Sequence, residues 1–276
     1  MAKNLVIVCA GDHSLHPLWD KNGYDLWIIY YGNDPVKESS YRQTADRFFK
    51  HSGLKCELLR QICFEQCTLE EKIDFANYDY VWLPDDDLQF RDGDAPLKLF
   101  DVCKKISADV FQPAIENDNI SWEPTRKVQG AFARRTNTVE IMALGFSGKV
   151  FKECFLTTLH ACEFVESGWG IEAVWKNFGE ALYARYLRTF VVDTVPVIHT
   201  RPIGSGGSII HSKGVFETQY FPQTKSQKMR TLRTYTSIDE INADRIDYFY
   251  LDGRISRKPF YKKLFEKWNT SNSKRK

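Results

Sequence analysis

The chain has no CxxC pair, no apolar run long enough to cross a membrane and almost no net charge. Each absence removes a class of function. Among its 276 residues are seven cysteines, and Cys63 and Cys67 stand four apart with no second Cys/His pair at zinc spacing. That pattern predicts free thiols in a reducing compartment rather than a zinc site. The first apolar run, Leu5 to Ala10, follows only Met-Ala-Lys-Asn and falls far short of the ~20 residues of a membrane span. No signal peptide or anchor is expected there, which predicts a cytoplasmic protein, soluble or peripheral at a membrane. Lys and Arg total 38 against 36 Asp and Glu, a net of +2 that is too small to imply nucleic acid. The Gly-rich stretch IGSGGS (203–208) lacks the Lys-Ser/Thr ending of a phosphate-cradling loop, so it is not an ATPase signature. A lid over a bound ligand is the use expected of it.

What is present is aromatic and regularly patterned. Aromatics make up 14% of the chain, and its seven Trp and thirteen Tyr suit a packed core and flat sugar-facing surfaces alike. Apolar, β-rich runs at 5–10, 25–31, 78–83, 108–113, 139–144 and 189–199 read as strands. Helical patterns lie between them. SSYRQTADRFFKHSG (39–53) sets Ala45, Phe48 and Phe49 on one helix face ahead of Gly53, and TLEEKIDFAN (68–77) opens with Thr68 and Glu71 at capping-box spacing. Further helices are expected over 95–107, 148–164 and 166–187. Such alternation predicts an α/β fold, a mostly parallel Rossmann-like sheet flanked by helices, with ligands at the carboxyl ends of its strands. The pattern loosens near Arg201. The expected division is a catalytic domain over 1–205 and a less regular basic C-terminal extension over 206–276.

YDYVWLPDDDLQF (78–90) is the most informative stretch. A buried strand runs into Pro84, which cannot donate to a ladder, and three carboxylates follow. Adjacent carboxylates repel unless a cation neutralises them. In extended chain Asp85 and Asp87 share a side, with Asp86 opposite, making a hard oxygen site for Mn²⁺ or Mg²⁺ that leaves positions for phosphate oxygens. A diphosphate leaving group is held and stabilised in that way. A solvated acidic turn is the plain alternative, and the strand directly before the triplet argues against it. Haloacid-dehalogenase-like phosphatases also carry Asp-x-Asp at a strand tip, usually on the first core strand, whereas two strands precede this one.

Three other segments complete the candidate site. ESGWGIEAVW (166–175) is a turn leading into a helix, with Glu172 in the first turn, where the dipole favours a carboxylate. Glu172 is either a helix-start residue or the general base for an acceptor hydroxyl, and Trp169 and Gly170 then contact the acceptor. FVVDTVPVIHTRP (190–202) ends in His199, a candidate third metal ligand, with Arg201 placed to meet phosphate. The first strand ends in Ala10, Gly11 and Asp12, expected with Asp86 and Arg201 to face the nucleotide-sugar. Gly11 permits close backbone approach, and Asp12 suits a ribose or base.

YDYVWLPDDDLQF, ADVFQPAI, VEIMALGFSGKVF, SGWGIEAVW and VVDTVPVIH, in that order over roughly 5–205, resemble the glycosyltransferase-like family catalogued as domain of unknown function 707. The resemblance implies a GT-A-type fold, a nucleoside diphosphate sugar donor and a divalent metal. It maps the family's acidic triplet to Asp85, Asp86 and Asp87, its Trp-Gly-x-acid step to Trp169, Gly170 and Glu172, and its Val-Asp…His strand to Asp193 and His199. Family stretches usually carry Asp where this chain has Glu172. The expected reaction is metal-dependent sugar transfer to a glycan or glycolipid hydroxyl, inverting if Glu172 is the base. A non-catalytic carbohydrate-binding protein that uses the aromatics alone is the expectation from a different class.

Charge divides the chain unevenly. From Lys225 to Lys276 there are 14 Lys and Arg against 6 Asp and Glu, a net of +8 behind an acidic body. Within that tail RKPFYKKLFEKW (257–268) places Phe260, Tyr261, Leu264, Phe265 and Trp268 on one helix face bordered by lysines. The face either docks on the catalytic domain or lies on an anionic membrane near a lipid-linked acceptor.

Overall fold

A computed structural model describes residues 3–91, 95–162, 168, 170–203 and 229–244. The amphipathic stretch 257–268, Trp169 and most of the expected lid lie outside the described residues. The sheet begins with β1 (Lys3–Ala10), whose central residues Leu5 to Ala10 are all at most 9% exposed. A continuous apolar run is what a strand covered on both faces requires. Leu5, Ile7 and Cys9 enter one core, and Val6, Val8 and Ala10 enter the other. The fold is therefore three-layered.

On either side of β1 lie β2 (Tyr24–Tyr30) and β4 (Tyr78–Pro84), both parallel to it, and β3 (Arg47–Lys50) extends the parallel block beyond β2. β8 (Ala143–Ser147) runs antiparallel between β4 and β6 (Val110–Ile115), and β9 (Thr189–His199) lies parallel to β6. β7 (Ala133–Thr136) and β10 (Thr231–Tyr235) close that edge, both through antiparallel pairings, and the short β5 (Leu88–Phe90) pairs off the main path with β9. Following these pairings, β1, β2, β3, β4, β6, β9 and β10 point one way, and β5, β7 and β8 point the other. The sheet is mostly parallel and flanked by helices, as expected, and β10 draws into it residues well beyond 205.

One core is roofed by α2 (Lys55–Leu59), which continues as a wide helical run over Arg60–Glu70, and by a second helical run comprising α4 (Gly148–Val150), Phe151–Leu156 and α5 (Thr157–Ala161). α6 (Ile171–Tyr183) joins them, burying Ile171, Val174, Trp175 and Phe178 at the i, i+3, i+4, i+7 spacing of one helix face. The other core is covered by α1 (Pro35–Thr44), α3 (Ala95–Lys105) and α7 (Ile238–Ala243), through Tyr41, Leu99, Phe100 and Ile241. All seven cysteines are free and buried. No described helix is long and apolar enough to cross a membrane.

Three expected elements differ. The helix over 39–53 stops at Thr44, and Arg47–Lys50 becomes β3, in register with Trp27–Tyr30. The open edge of β2 offers ladder hydrogen bonds, and alternation sends Phe48 to Tyr30 and Phe49 to Trp27 on opposite faces. The capping box at 68–71 does not form. Thr68 instead lies inside the helical run over Arg60–Glu70, donating to the Cys63 carbonyl (2.7 Å), and Glu71 pairs with Arg47. The strand expected over 139–144 begins only at Ala143, because Ile141 and Met142 form a turn.

Candidate functional site

The acidic triplet lies where β4 ends, and three separate segments pin its backbone. Asp85 N–H donates to the Met142 carbonyl (2.7 Å), Leu15 N–H donates to the Asp86 carbonyl (2.7 Å), and Thr200 N–H donates to that of Asp87 (3.1 Å). Asp86 and Asp87 form a turn that feeds β5, whose Leu88 registers against His199. The chain there is not extended, so the alternation expected to put Asp85 and Asp87 on one side does not operate. Each carboxylate meets a different partner.

Asp85 Oδ1 receives the Lys55 ammonium at 2.7 Å. Asp86 is buried, 6% exposed, and accepts from Gly11 N–H (2.8 Å), the Arg201 guanidinium (2.6 Å) and the Tyr31 hydroxyl (3.4 Å). A side chain at Gly11 would meet the Tyr31 ring at 2.9 Å, so this tie between β1 and the triplet leaves no room for a Cβ. Burial raises the Asp86 carboxyl despite these donors. Asp86 therefore ties β1 and Arg201 to the triplet. Asp12 is likewise engaged, accepting from the Tyr30 hydroxyl and from the N–H groups of Asn33 and Asp34 (both 3.1 Å). The Tyr30 bond is the main cause of its lowered pKa. That carboxylate braces the loop into α1, chiefly through Oδ1. Ala10 is fully buried, and its carbonyl accepts from Tyr31 N–H at 3.0 Å.

Asp87 is the triplet member with free capacity. Its Oδ2 lies 3.1 Å from His199 Nε2 and 3.6 Å from Arg201 Nε, while its buried Oδ1 has no hydrogen-bond partner among the described residues. Desolvation, the largest single influence, would raise this carboxyl, but the bond to His199 together with the charges of His199 and Arg201 outweighs it and the pKa is lowered. His199 mirrors this. Burial would depress the imidazole, yet the hydrogen bond and charge of Asp87 lift it above its ordinary value. The other ring nitrogen, Nδ1, lies 3.0 Å from the Asn119 carbonyl. A carbonyl only accepts, so Nδ1 carries a proton and Nε2 holds either a second proton or a lone pair. Asn117 fixes the His199 backbone from both sides, accepting its N–H and donating to its carbonyl.

Glu172 sits in the first turn of α6, behind Gly170, whose φ of 84° opens the helix. Its carboxyl is pushed up to about 7, first by burial and then by the negative charge of Glu140, against the lowering effect of N–H groups of Glu172 itself, Gly170 and Ile141. Glu140 had no role in the sequence pattern, where it passed for a strand position. It is 6% exposed, its Oε2 is buried without a partner among the described residues, and Gln112 Oε1 accepts its N–H at 2.6 Å. The charges of Asp85, His199 and Lys55 all act on it. Lys55, Tyr31 and Asn119 were equally unmarked. Asp193, which the family resemblance set beside His199, instead forms a buried ion pair with Arg134 at 2.9 Å.

No group of three or more His, Cys, Asp or Glu among the described residues is placed to hold a metal ion. Asp87 and His199 fit as a pair: one orphaned carboxylate oxygen and one imidazole nitrogen facing a carboxylate. Mg²⁺-type sites commonly take one or two protein ligands and complete the shell with phosphate oxygens and water. Asp85, expected as the second carboxylate ligand, is held by Lys55.

No protein-family model matches the chain, the 707 family included, and no curated protein sequence does. Among solved structures, A197 from STIV aligns with a TM-score of 0.39 and 12% identity, over 73% of this chain and 86% of that one. S. aureus TarS 1-349 aligns at 0.42 and 12%, covering 71% of this chain and 59% of that one. A longer S. aureus TarS chain aligns at 0.36 and 13%, over 54% and 29%. The chain thus spans less than two thirds of either TarS structure. Likenesses of this degree carry no chemistry across.

Proposed function

We propose that the protein transfers a sugar from a nucleoside diphosphate sugar to a glycan or glycolipid hydroxyl, with Mn²⁺ or Mg²⁺ held by Asp87 and His199. The observation that carries this reading is the Asp87–His199 pair, in which a buried carboxylate oxygen lacks a partner among the described residues and a ring nitrogen faces the other oxygen. When bound, the cation would neutralise charge developing on the diphosphate leaving group. Arg201 is held at one side by Asp86 and Asp87 and is still 40% exposed, which leaves guanidinium N–H groups for a phosphate oxygen.

Glu172 is the proposed general base. A carboxyl near 7 is matched to accepting a proton at neutral pH. The acceptor oxygen attacks the anomeric carbon, the bond from that carbon to the diphosphate oxygen breaks, and its electron pair leaves with the diphosphate. The hydroxyl proton passes to Glu172. Such a single displacement inverts the anomeric centre, and Trp169 and Gly170 are the proposed acceptor contacts.

Thermal denaturation with a panel of nucleoside diphosphates, each with and without Mn²⁺, tests the reading. Stabilisation requiring both components is expected. Stabilisation by Mg²⁺ with phosphate mimics alone would favour phosphatase chemistry, and indifference to all additions would leave only a non-catalytic role.

A further inference from the structure

Lys55 opens α2 directly after a loop, and nothing in the sequence around it suggests a site. Its Nζ nevertheless lies 2.7 Å from Asp85 Oδ1, 2.7 Å from the Leu83 carbonyl and 2.8 Å from the Ile141 carbonyl, with the Met142 carbonyl at 3.4 Å. An ammonium has three N–H donors, and the three shorter contacts use them all. The side chain is only 12% exposed, so these are shielded, charge-assisted bonds.

One carboxylate and several carbonyl oxygens are the hard-oxygen set that a free cation takes from a protein. Here the chain supplies the cation. We infer that Lys55 is a built-in cation that withholds Asp85 from the divalent ion, so that the triplet binds metal through Asp87 alone. The inference rests on the metal-dependent reading of the site. For Asp85 to turn to a metal, the part-buried ammonium would lose its counter-charge and face a second cation, both of which are unfavourable even though Asp85 itself is 39% exposed. Asp86 is equally unavailable, held by Gly11 and Arg201. Three adjacent carboxylates thus have three tasks: Asp85 anchors an internal cation, Asp86 ties the framework, and Asp87 serves the metal.

Lys55 is also a positioning residue. The Ile141 carbonyl accepts from Lys55, and the Ile141 N–H acts on the Glu172 carboxylate. One ammonium therefore fixes the triplet and the segment beside the proposed base relative to each other.

Mn²⁺ binding by the full-length protein without sugar substrate, measured by calorimetry with Mn²⁺ alone and then with pyrophosphate, tests this. Asp87→Asn is expected to weaken binding at least about tenfold and Asp85→Asn by no more than about twofold. Lys55→Met, which frees Asp85 as an added ligand, is expected to bind Mn²⁺ about tenfold more tightly, and Lys55→Met with Asp85→Asn to return to the wild-type value. A merely structural lysine would not tighten binding when removed. Equal losses from Asp85→Asn and Asp87→Asn, or no tightening in a folded Lys55→Met protein, would overturn the inference. Should Lys55→Met fail to fold, the contrast between the two Asp variants decides. Absence of Mn²⁺ binding by the wild type under both conditions would instead sink the metal reading, and this inference with it.

Discussion

Asp87 and His199, 112 positions apart, meet because β5 lays Leu88 against His199, which brings Asp87 Oδ2 within 3.1 Å of the imidazole Nε2. The same turn leaves Asp87 Oδ1 buried without a partner among the described residues. Removing the carboxylate should therefore cost metal binding more than folding. Asp87→Ala is expected to lose roughly 10²-fold or more in transfer rate, equivalent to a few kcal/mol of leaving-group stabilisation. Steady-state rates on the folded variant check this, and near-normal transfer would remove the basis of the proposed mechanism.

The pair also gives the metal-free protein a pH signature. The folded value of His199 lies above its ordinary 6.5, so its contribution to stability is full below 6.5 and is lost as pH rises through the raised value. The folded value of Asp87 lies below 3.8, so its contribution is full above 3.8 and is lost as pH falls through the depressed value. The stability advantage of wild type over His199→Gln should accordingly be greatest between 3.8 and 6.5 and fade in alkali. Thermal melts in chelator across that range test it, and an advantage growing above neutrality would contradict the assignment.

Glu172→Gln keeps size and hydrogen bonding but cannot take a proton. Donor affinity is expected to hold while kcat falls roughly 10²–10⁴-fold. With a carboxyl near 7, wild-type activity should drop as pH falls through that value, because the base must be ionised, and the Gln variant should lack that limb. A loss of donor affinity at unchanged kcat would make Glu172 a helix-start residue.

Away from the site, Arg134 and Asp193 form a buried pair with side chains 3% and 0% exposed. Both Asp193 oxygens accept from the guanidinium, and Val128 N–H also donates to Asp193. Asp193→Ala leaves a buried cation uncompensated and should destabilise the fold by about 3–5 kcal/mol. Denaturant unfolding measures this. A cost below about 1 kcal/mol would show that the pair is solvated when the chain is free to relax.

Asp86→Ala removes acceptors from Gly11, Tyr31 and Arg201 at once. Leaving buried donors unpaired costs about 1–3 kcal/mol, and Arg201, freed from one side, should hold phosphate less well. Lower stability together with weaker donor binding is the expected outcome. A variant with weaker binding at full stability would restore Asp86 to the nucleotide contacts.

The sequence by itself determined the layers and the place of the acidic triplet. A short continuous apolar run such as Leu5 to Ala10 suits a strand covered on both faces, and the spacing of Ile171, Val174, Trp175 and Phe178 suits one buried face of a helix. These are local signals, readable because side-chain periodicity is a property of the backbone. So was the triplet at the end of β4. Tertiary structure decided which partner each carboxylate meets. β3 formed where a helix was expected because the edge of β2 was open to it, and β5 turned Asp87 towards His199. Lys55 and Glu140 reached the site from a helix start and a turn that carry no motif. Charge pairing over such separations depends on distance in space, which no spacing along the chain encodes.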